Sequence, residues 1–328
     1  MSLVSLPFLV LGAVVLAALF PARGVSAEFA DAATKVAIAL LFFLYGARLS
    51  PQQARHGVRR WQLHALVLTT TFVIFPILGL IASESVGSLM TDDLHKGLLF
   101  LCLVPSTMQS SVLFTSIARG HVSAAVVSAS LSNILGVVLT PLLAMLLFHT
   151  RGGLRVANTA IVEIFLQLLL PFALGQLARP WIAAVIARHA TLLKVVERAS
   201  ILVMLYRAFS VGVVEGVWVS VDPWHFVLVV ALVATLLAMV LVCTRVIGLL
   251  ARLERGDAIV LMFCGSKKSL ASGLPVALVL FPAPTVGLIM LPLVLFHQLQ
   301  LIVCAAIASR FAKEPARRCD PRRHAERR

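Results

Sequence analysis

Charge is the scarcest ingredient of this 328-residue chain. Asp, Glu, Lys and Arg make up 13% of it, against about 25% in an ordinary soluble domain. That shortage excludes a soluble single-core enzyme, a disordered chain and a nucleic-acid module, all of which need far more polar surface. Cysteine is sparse and unpatterned. There are five, with no CxxC and no Cys/His spacing, so neither a metal centre nor a disulfide framework is indicated. HExxH, GxSxG and a carboxylate pair within the apolar segments are also missing, and no soluble stretch is long enough to house chemistry. An intramembrane enzyme therefore fits poorly.

What remains is apolar. Hydrophobic residues make up 60% of the chain and the mean hydropathy is +1.00. Runs of about 20 apolar residues recur from end to end, each long enough to cross a bilayer as a helix. Ten spans are expected, near 5–22, 33–49, 62–82, 94–118, 122–147, 158–178, 193–214, 224–247, 256–281 and 284–309. Val25-Ser26-Ala27 resembles a signal-peptide cleavage site. No Lys or Arg precedes the first apolar stretch, however, and that stretch is long for a signal peptide, so a retained first helix is expected. The fold class is an all-α polytopic membrane protein.

The net charge of +14 is unevenly placed. With both termini in the cytoplasm, the inner loops and the tail hold 19 of the 28 basic residues and the outer loops hold five; the other four, Arg198, Arg207, Lys267 and Lys268, fall within spans. Such asymmetry sets orientation. It places the chain in a bacterial-type inner membrane with both ends inside, and makes the basic tail, 310–328, a topology determinant that also touches anionic lipid.

Ten spans divide into five plus five, 1–150 and 151–309, and an odd number of crossings per half inverts one half relative to the other. Leu41-Phe42-Phe43-Leu44-Tyr45-Gly46-Ala47-Arg48 in the second span is echoed by Val203-Met204-Leu205-Tyr206-Arg207-Ala208-Phe209-Ser210 in the seventh. The fourth and ninth spans are both interrupted. Pro105-Ser106-Thr107-Met108-Gln109-Ser110-Ser111 breaks one; Gly265-Ser266-Lys267-Lys268-Ser269, followed by Ser272, Gly273 and Pro275, breaks the other. Unpaired backbone cannot face hydrocarbon, so each break must lie inside protein or line a wet cavity. Broken helices at matching places in inverted halves point to a substrate site near the midplane, where half-helix N-termini offer free N–H groups and partial positive charge.

On these residues the chain resembles the bile acid/sodium symporter family of solute carrier 10 along nearly its whole length. The run from Gly120-His121-Val122 to Leu139-Thr140-Pro141 matches that family, and Phe263-Cys264-Gly265-Ser266-Lys267-Lys268-Ser269 resembles the mark of its orphan branch. The resemblance implies ten helices in a panel domain and a core domain, with the fourth and ninth helices crossing. It also implies carriage of organic anions by alternating access, with sodium as coupling ion in the better-known members.

The same resemblance exposes departures. Aligned on Gly265, the family's sodium-binding Glu and Gln fall on Phe263 and Lys267, and its Asn falls on Lys268. The third-helix Gln, ahead of a Phe-Val-Ile-x-Pro pattern that reads here Phe72-Val73-Ile74-Phe75-Pro76, is replaced by Thr71. One sodium site is thus lost. The other survives in part as Ser110, Ser111, Ser130 and Asn133.

An ammonium at mid-membrane costs about 2.5–3.5 kcal/mol on insertion scales, so Lys267 and Lys268 must be offset. One reading makes them a structural ion pair, with Glu163, Glu197 or Glu215, or lets them snorkel. The other makes one ammonium, with Lys267 favoured, a built-in cation in sodium's place that braces the crossing and attracts an anion; a buried lysine also permits a proton as coupling ion. The expected substrate- and ion-binding set is Lys267, Lys268, Ser266, Ser269, Thr107, Gln109, Ser110, Ser111, Asn133 and Thr71. Asn133, Gln167, His297 and Gln298 either line the cavity or bond across helices, and Glu197-Arg198 is expected to snorkel at a helix end. The leading function is a secondary transporter of a small organic anion, not strictly sodium-coupled. The alternative is a non-transporting membrane regulator or scaffold acting on ion homeostasis.

Overall fold

A computed structural model describes residues 5–48, 60–150 and 165–313. Among them every regular element is helical. In chain order they are α1 (Ser5–Leu19), α2 (Val25–Arg48), α3 (Trp61–Val86), α4 (Asp92–Leu103), α5 (Met108–Ile117), α6 (Val122–Thr150), α7 (165–188), α8 (Ala190–Val214), α9 (Pro223–Leu250), α10 (Arg255–Gly265), α11 (Leu270–Leu280) and α12 (Ala283–Lys313). Helix falls on each of the ten expected segments. The part of the sixth before residue 165, the loop arginines Arg55 and Arg59, Glu163 and the tail beyond 313 lie outside the described residues.

Five of these helices have the length and apolarity to cross a membrane on those grounds alone: α3, α6, α7, α9 and α12. A sixth span follows if α4 and α5, bent by 58° at their junction, count as one. The outward surface suits lipid, with Phe8, Leu19, Phe29, Trp181, Trp224, Leu250 and Ile302 all exposed.

Packing sorts the helices into two groups. α8 contacts α1, α2 and α7, and α2 packs on α7, while α12 runs against α4, α5, α9 and α11 and meets the first group through α8. α2 and α7 touch backbone to backbone. A Cβ on Gly46 would lie 2.0 Å from the Phe172 carbonyl oxygen, and one on Gly175 would lie 2.0 Å from that of Phe43. Only glycine permits that approach.

α3 has a local irregularity that matters for the site. Its turn Thr70–Ile74 is wound as a π-helix, so that the Phe75 N–H donates to the Thr70 carbonyl. In that register the partner of the Thr71 carbonyl would be residue 76. Pro76 has no N–H to give, and the Thr71 oxygen is left available. α7 opens the same way, with a π turn over Phe165–Leu169 just ahead of Pro171.

Candidate functional site

The two breaks in the sequence, between α4 and α5 and between α10 and α11, meet each other. Ser269 N–H donates to the Pro105 carbonyl at 2.9 Å, and the Thr107 hydroxyl donates to the Lys268 carbonyl at 2.9 Å. The Ser111 hydroxyl adds a bond to the Phe263 carbonyl at 3.0 Å. Proline explains the first break: Val104, the residue before Pro105, is extended, with φ −74° and ψ 153°, as that position favours.

Unwinding frees main-chain groups, and α6 supplies partners for many of them. The Thr140 hydroxyl donates to the Leu103 carbonyl at 3.0 Å, the Ser132 oxygen accepts from Ser106 N–H at 3.0 Å, and Asn133 Nδ2 donates to the Ser106 carbonyl at 2.9 Å. Gly136 makes room for this, since a Cβ there would stand 2.6 Å from Pro105 Cβ. On the other break, Gln300 of α12 holds Lys268 twice: its Oε1 accepts from Lys268 N–H at 2.9 Å and its Nε2 donates to the Lys268 carbonyl at 2.8 Å.

Both lysines are fully buried, and their surroundings differ completely. Lys268 Nζ donates to the carbonyls of Thr71 at 2.9 Å, Cys102 at 2.7 Å and Val104 at 2.8 Å, with the Phe75 ring centre 4.2 Å away. Two of those oxygens belong to the open C-terminal end of α4, where the helix dipole is negative. The third is the one that the π turn leaves spare. Lys267 Nζ has no hydrogen-bond partner among the described residues. It lies 3.6 Å from the centre of the Phe114 ring and 5.9 Å from that of Phe263, a cation–π setting. The ammonium with an oxygen shell is therefore that of Lys268 rather than the favoured Lys267. The two side chains leave the backbone on different sides, as neighbours must.

Neither lysine pairs with a carboxylate among the described residues. Glu197, one of the suggested partners, is also not at an interface: it is buried and bonded to Arg48 at 2.9 Å. The snorkelling expected of it gives way to an internal ion pair, because α8 turns that face towards α2. Arg207, deeper in α8, forms a two-pronged pair with Asp31 of α2.

A cavity of about 410 Å³ lies beside the crossing. Thr107, Met108, Gln109 and Ser110, the first turn of α5, form one wall, and Ser269, Leu270, Ala271 and Ser272, the first turn of α11, form another. α11 is capped by the Ser269 side chain, which accepts from Ser272 N–H at 3.2 Å. α5 has no side-chain cap, because Thr107 is turned to Lys268 instead. Its first turn thus lies on the cavity wall without a side-chain cap on its N–H groups. Arg48, Lys194, Arg198 and Glu197 supply the charged wall, three basic groups against one acidic.

Of the ten expected site residues, Thr107, Gln109, Ser110, Asn133 and Ser269 line this cavity. Lys267, Lys268, Ser266, Ser111 and Thr71 sit behind it in the crossing, all buried. The Ser266 hydroxyl donates to the Met262 carbonyl, and the Thr71 hydroxyl donates to that of Val67 in its own helix. What Thr71 offers the site is its main chain. Sequence reasoning missed Gln300, Ser272 and the inward placing of Arg48 and Glu197. Gln300 stands three residues after His297, and its Nε2 approaches His297 Nδ1 at 3.0 Å; that spacing on one helix face was the available signal.

Comparison with known proteins identifies the family. Residues 5–313 match the model of the SBF-like CPA transporter family. "Uncharacterized protein PA2026" of Pseudomonas aeruginosa is 47% identical over 301 residues, covering 92% of this chain and 90% of the relative. "Putative symporter YfeH" of Escherichia coli is 43% identical over 303 residues, with the same coverage. "Sodium/bile acid cotransporter 7" of Danio rerio is 25% identical over 275 residues, covering 82% of this chain and 81% of the relative.

Proposed function

The chain belongs to the SBF-like CPA transporter family, and from that premise we propose that it is a secondary transporter carrying a small organic anion across the inner membrane by alternating access. The observation that carries the reading is the cavity wall. Two helix N-termini, one of them uncapped, converge on a single space whose charged side chains are mostly basic. Helix N-termini and basic side chains favour a carboxylate or another anion, and a volume of about 410 Å³ suits a small organic molecule.

In this reading the chain is two inverted five-helix repeats, 1–150 and 151–309, with a basic tail over 310–328. α4/α5 and α10/α11 are the matching broken spans. Both termini are cytoplasmic, and the cavity faces the cytoplasm, since Arg48, Ile186, Ala187 and Lys194 on its wall lie near inner loops. Thr107, Gln109, Ser110, Asn133 and Ser269 meet the anion. Lys268 stands where a coupling sodium would brace the crossing, as a cation tied to the chain, with Thr71, Ser111, Ser266 and Lys267 supporting the same region. Sodium is then not required.

The test is thermal unfolding of the purified protein with a panel of organic anions, with and without sodium, followed by uptake into liposomes of whichever anion stabilises it. Stabilisation by an anion irrespective of sodium, and its uptake, is the expected result. A protein stabilised by no anion, and moving none, is not this transporter.

A further inference from the structure

Lys194, Glu197, Arg198 and Ile201 of α8 all line the cavity, and their spacing of i, i+3, i+4 and i+7 sets them on one face of the helix. The three charges on that face have different surroundings. Glu197 is buried and takes the Arg48 guanidinium at 2.9 Å, so that pair, from α8 and α2, cancels. Lys194 and Arg198 have no hydrogen bond and no ion pair among the described residues. Lys194 is exposed; Arg198 is half-buried, and its Nε is shut off from solvent without a partner. Further along the same helix Arg207 is held in full, its Nε and Nη2 donating to the two oxygens of Asp31. The cavity wall therefore carries two positive charges that the protein does not answer.

Such an arrangement is unfavourable by itself. Cations one turn apart on a helix face repel each other, a guanidinium within a membrane span is kept from its hydration, and a buried N–H without an acceptor forfeits a hydrogen bond. An anion in the cavity relieves all three. One that is singly charged leaves a cation over, whereas two carboxylates on one small molecule match the pair. Residues one turn apart stand about 5–6 Å from each other at Cβ, a span that the two ends of a short dicarboxylate reach. A planar carboxylate also fits a guanidinium, as Asp31 fits Arg207. No other lining residue upsets the count, since Glu197 is the only carboxylate among them and neither Lys267 nor Lys268 lines the cavity.

We propose that Lys194 and Arg198 form a paired-cation subsite that makes this protein selective for small organic dianions, dicarboxylates in particular. The proposal rests on the cavity being the anion site. Arg198 binds one carboxylate of the substrate and Lys194 the other, while Arg48 stays with Glu197. The selectivity lies in the second charge: a molecule of the same shape with one carboxylate leaves one of the two cations unanswered.

The experiment measures binding to the purified full-length protein by titration calorimetry at slightly alkaline pH. The probes are N-methylglucamine salts of succinate, glutarate and phthalate, each beside its monoamide, which keeps the shape and loses one charge. At least one dicarboxylate should bind, about tenfold or more tightly than its monoamide, the scale of one charge-assisted hydrogen bond. Arg198→Gln and Lys194→Gln should each bring that dicarboxylate down to the level of its monoamide. Arg198→Lys, which keeps the charge, should keep the preference, and Arg310→Gln, which removes a basic residue that does not line the cavity, should leave it unchanged. Monoamides that bind as well as their parents, or a preference that survives both glutamine variants, overturn the proposal and leave the anion site standing. Binding of some other organic anion, with no dicarboxylate bound, does the same. A protein that binds no anion at all loses the anion site and this proposal together.

Discussion

Lys268 and Gln300 hold each other in a reciprocal pair, the amide of one side chain closing on the N–H and carbonyl of the other residue's backbone. A backbone that has left its helix in the middle of a membrane protein needs such a partner for each group. Gln300→Leu should therefore leave Lys268 N–H buried and unpaired. The expected loss is about 1–3 kcal/mol of stability, read as a lower melting temperature. Thr107→Val should cost less, because the Lys268 carbonyl keeps its bond from Gln300. Equal losses would show that Gln300 is not the principal support.

The two lysines should separate cleanly. Lys268→Met strips three buried carbonyls of their donor and should destabilise the protein by about 3–5 kcal/mol, the scale for removing one member of a buried charged arrangement. Lys267→Met removes an ammonium with no hydrogen bond among the described residues and puts an apolar chain beside the Phe114 ring that it faced. Its melting temperature should be unchanged or higher. A larger loss from Lys267→Met would reverse the assignment of the bracing cation.

If three carbonyls form a cation site, the truncated variant should accept a free one. Lys268→Ala should regain melting temperature on addition of ammonium chloride, with N-methylglucamine chloride as control, while the native protein shows no such difference. A variant indifferent to ammonium would mean that the carbonyls re-pair with the backbone once the side chain is gone.

If Phe263, Lys267 and Thr71 stand where the resemblance sets oxygen ligands, the native protein should melt at the same temperature in sodium and potassium chloride. Sodium-specific stabilisation of the native protein would require an oxygen shell elsewhere, Ser110 and Asn133 being the first residues to test.

Gly46→Ala and Gly12→Ala form a matched pair. Alanine gains about 1 kcal/mol over glycine in helix propensity, and Gly12 has nothing within 4 Å of an added Cβ, so that variant should be neutral or more stable. At Gly46 the Cβ collides with the Phe172 carbonyl, and overpacking of about 1–3 kcal/mol or more outweighs the gain. The melting temperatures should move in opposite directions.

Much of this arrangement was legible in the residues. Apolar runs marked the helices, Pro105 and the Gly265-Ser266 pair marked the breaks, and the polar residues after each break marked a cavity wall. What could not be read was which of two adjacent lysines faces which neighbour. That depends on how an unwound segment leaves α10, and no periodicity describes an unwound segment. The spare carbonyl of Thr71 was equally hidden. The proline was visible, but the π turn that pairs Thr70 with Phe75 and strands Thr71 is a product of packing. Glu197 was misjudged for a related reason: a charge near a helix end looks like an interface residue until a second helix brings an arginine alongside it.

The bonds from Ser269 to Pro105 and from Thr107 to Lys268 tie α5 to α11 at their open ends. The two N-termini at the cavity are therefore coupled, as the two sides of one jaw. In the alternating-access reading proposed above, a movement that turned the cavity to the opposite face would carry that jaw as one piece, and the sliding would fall along the seam where α8 meets α12 and α11 and across the long contact from Gln109 Nε2 to Glu197 Oε2. Resistance to turning is then a property of that seam, and substitutions along it should change the speed of the cycle without altering which molecule the jaw holds.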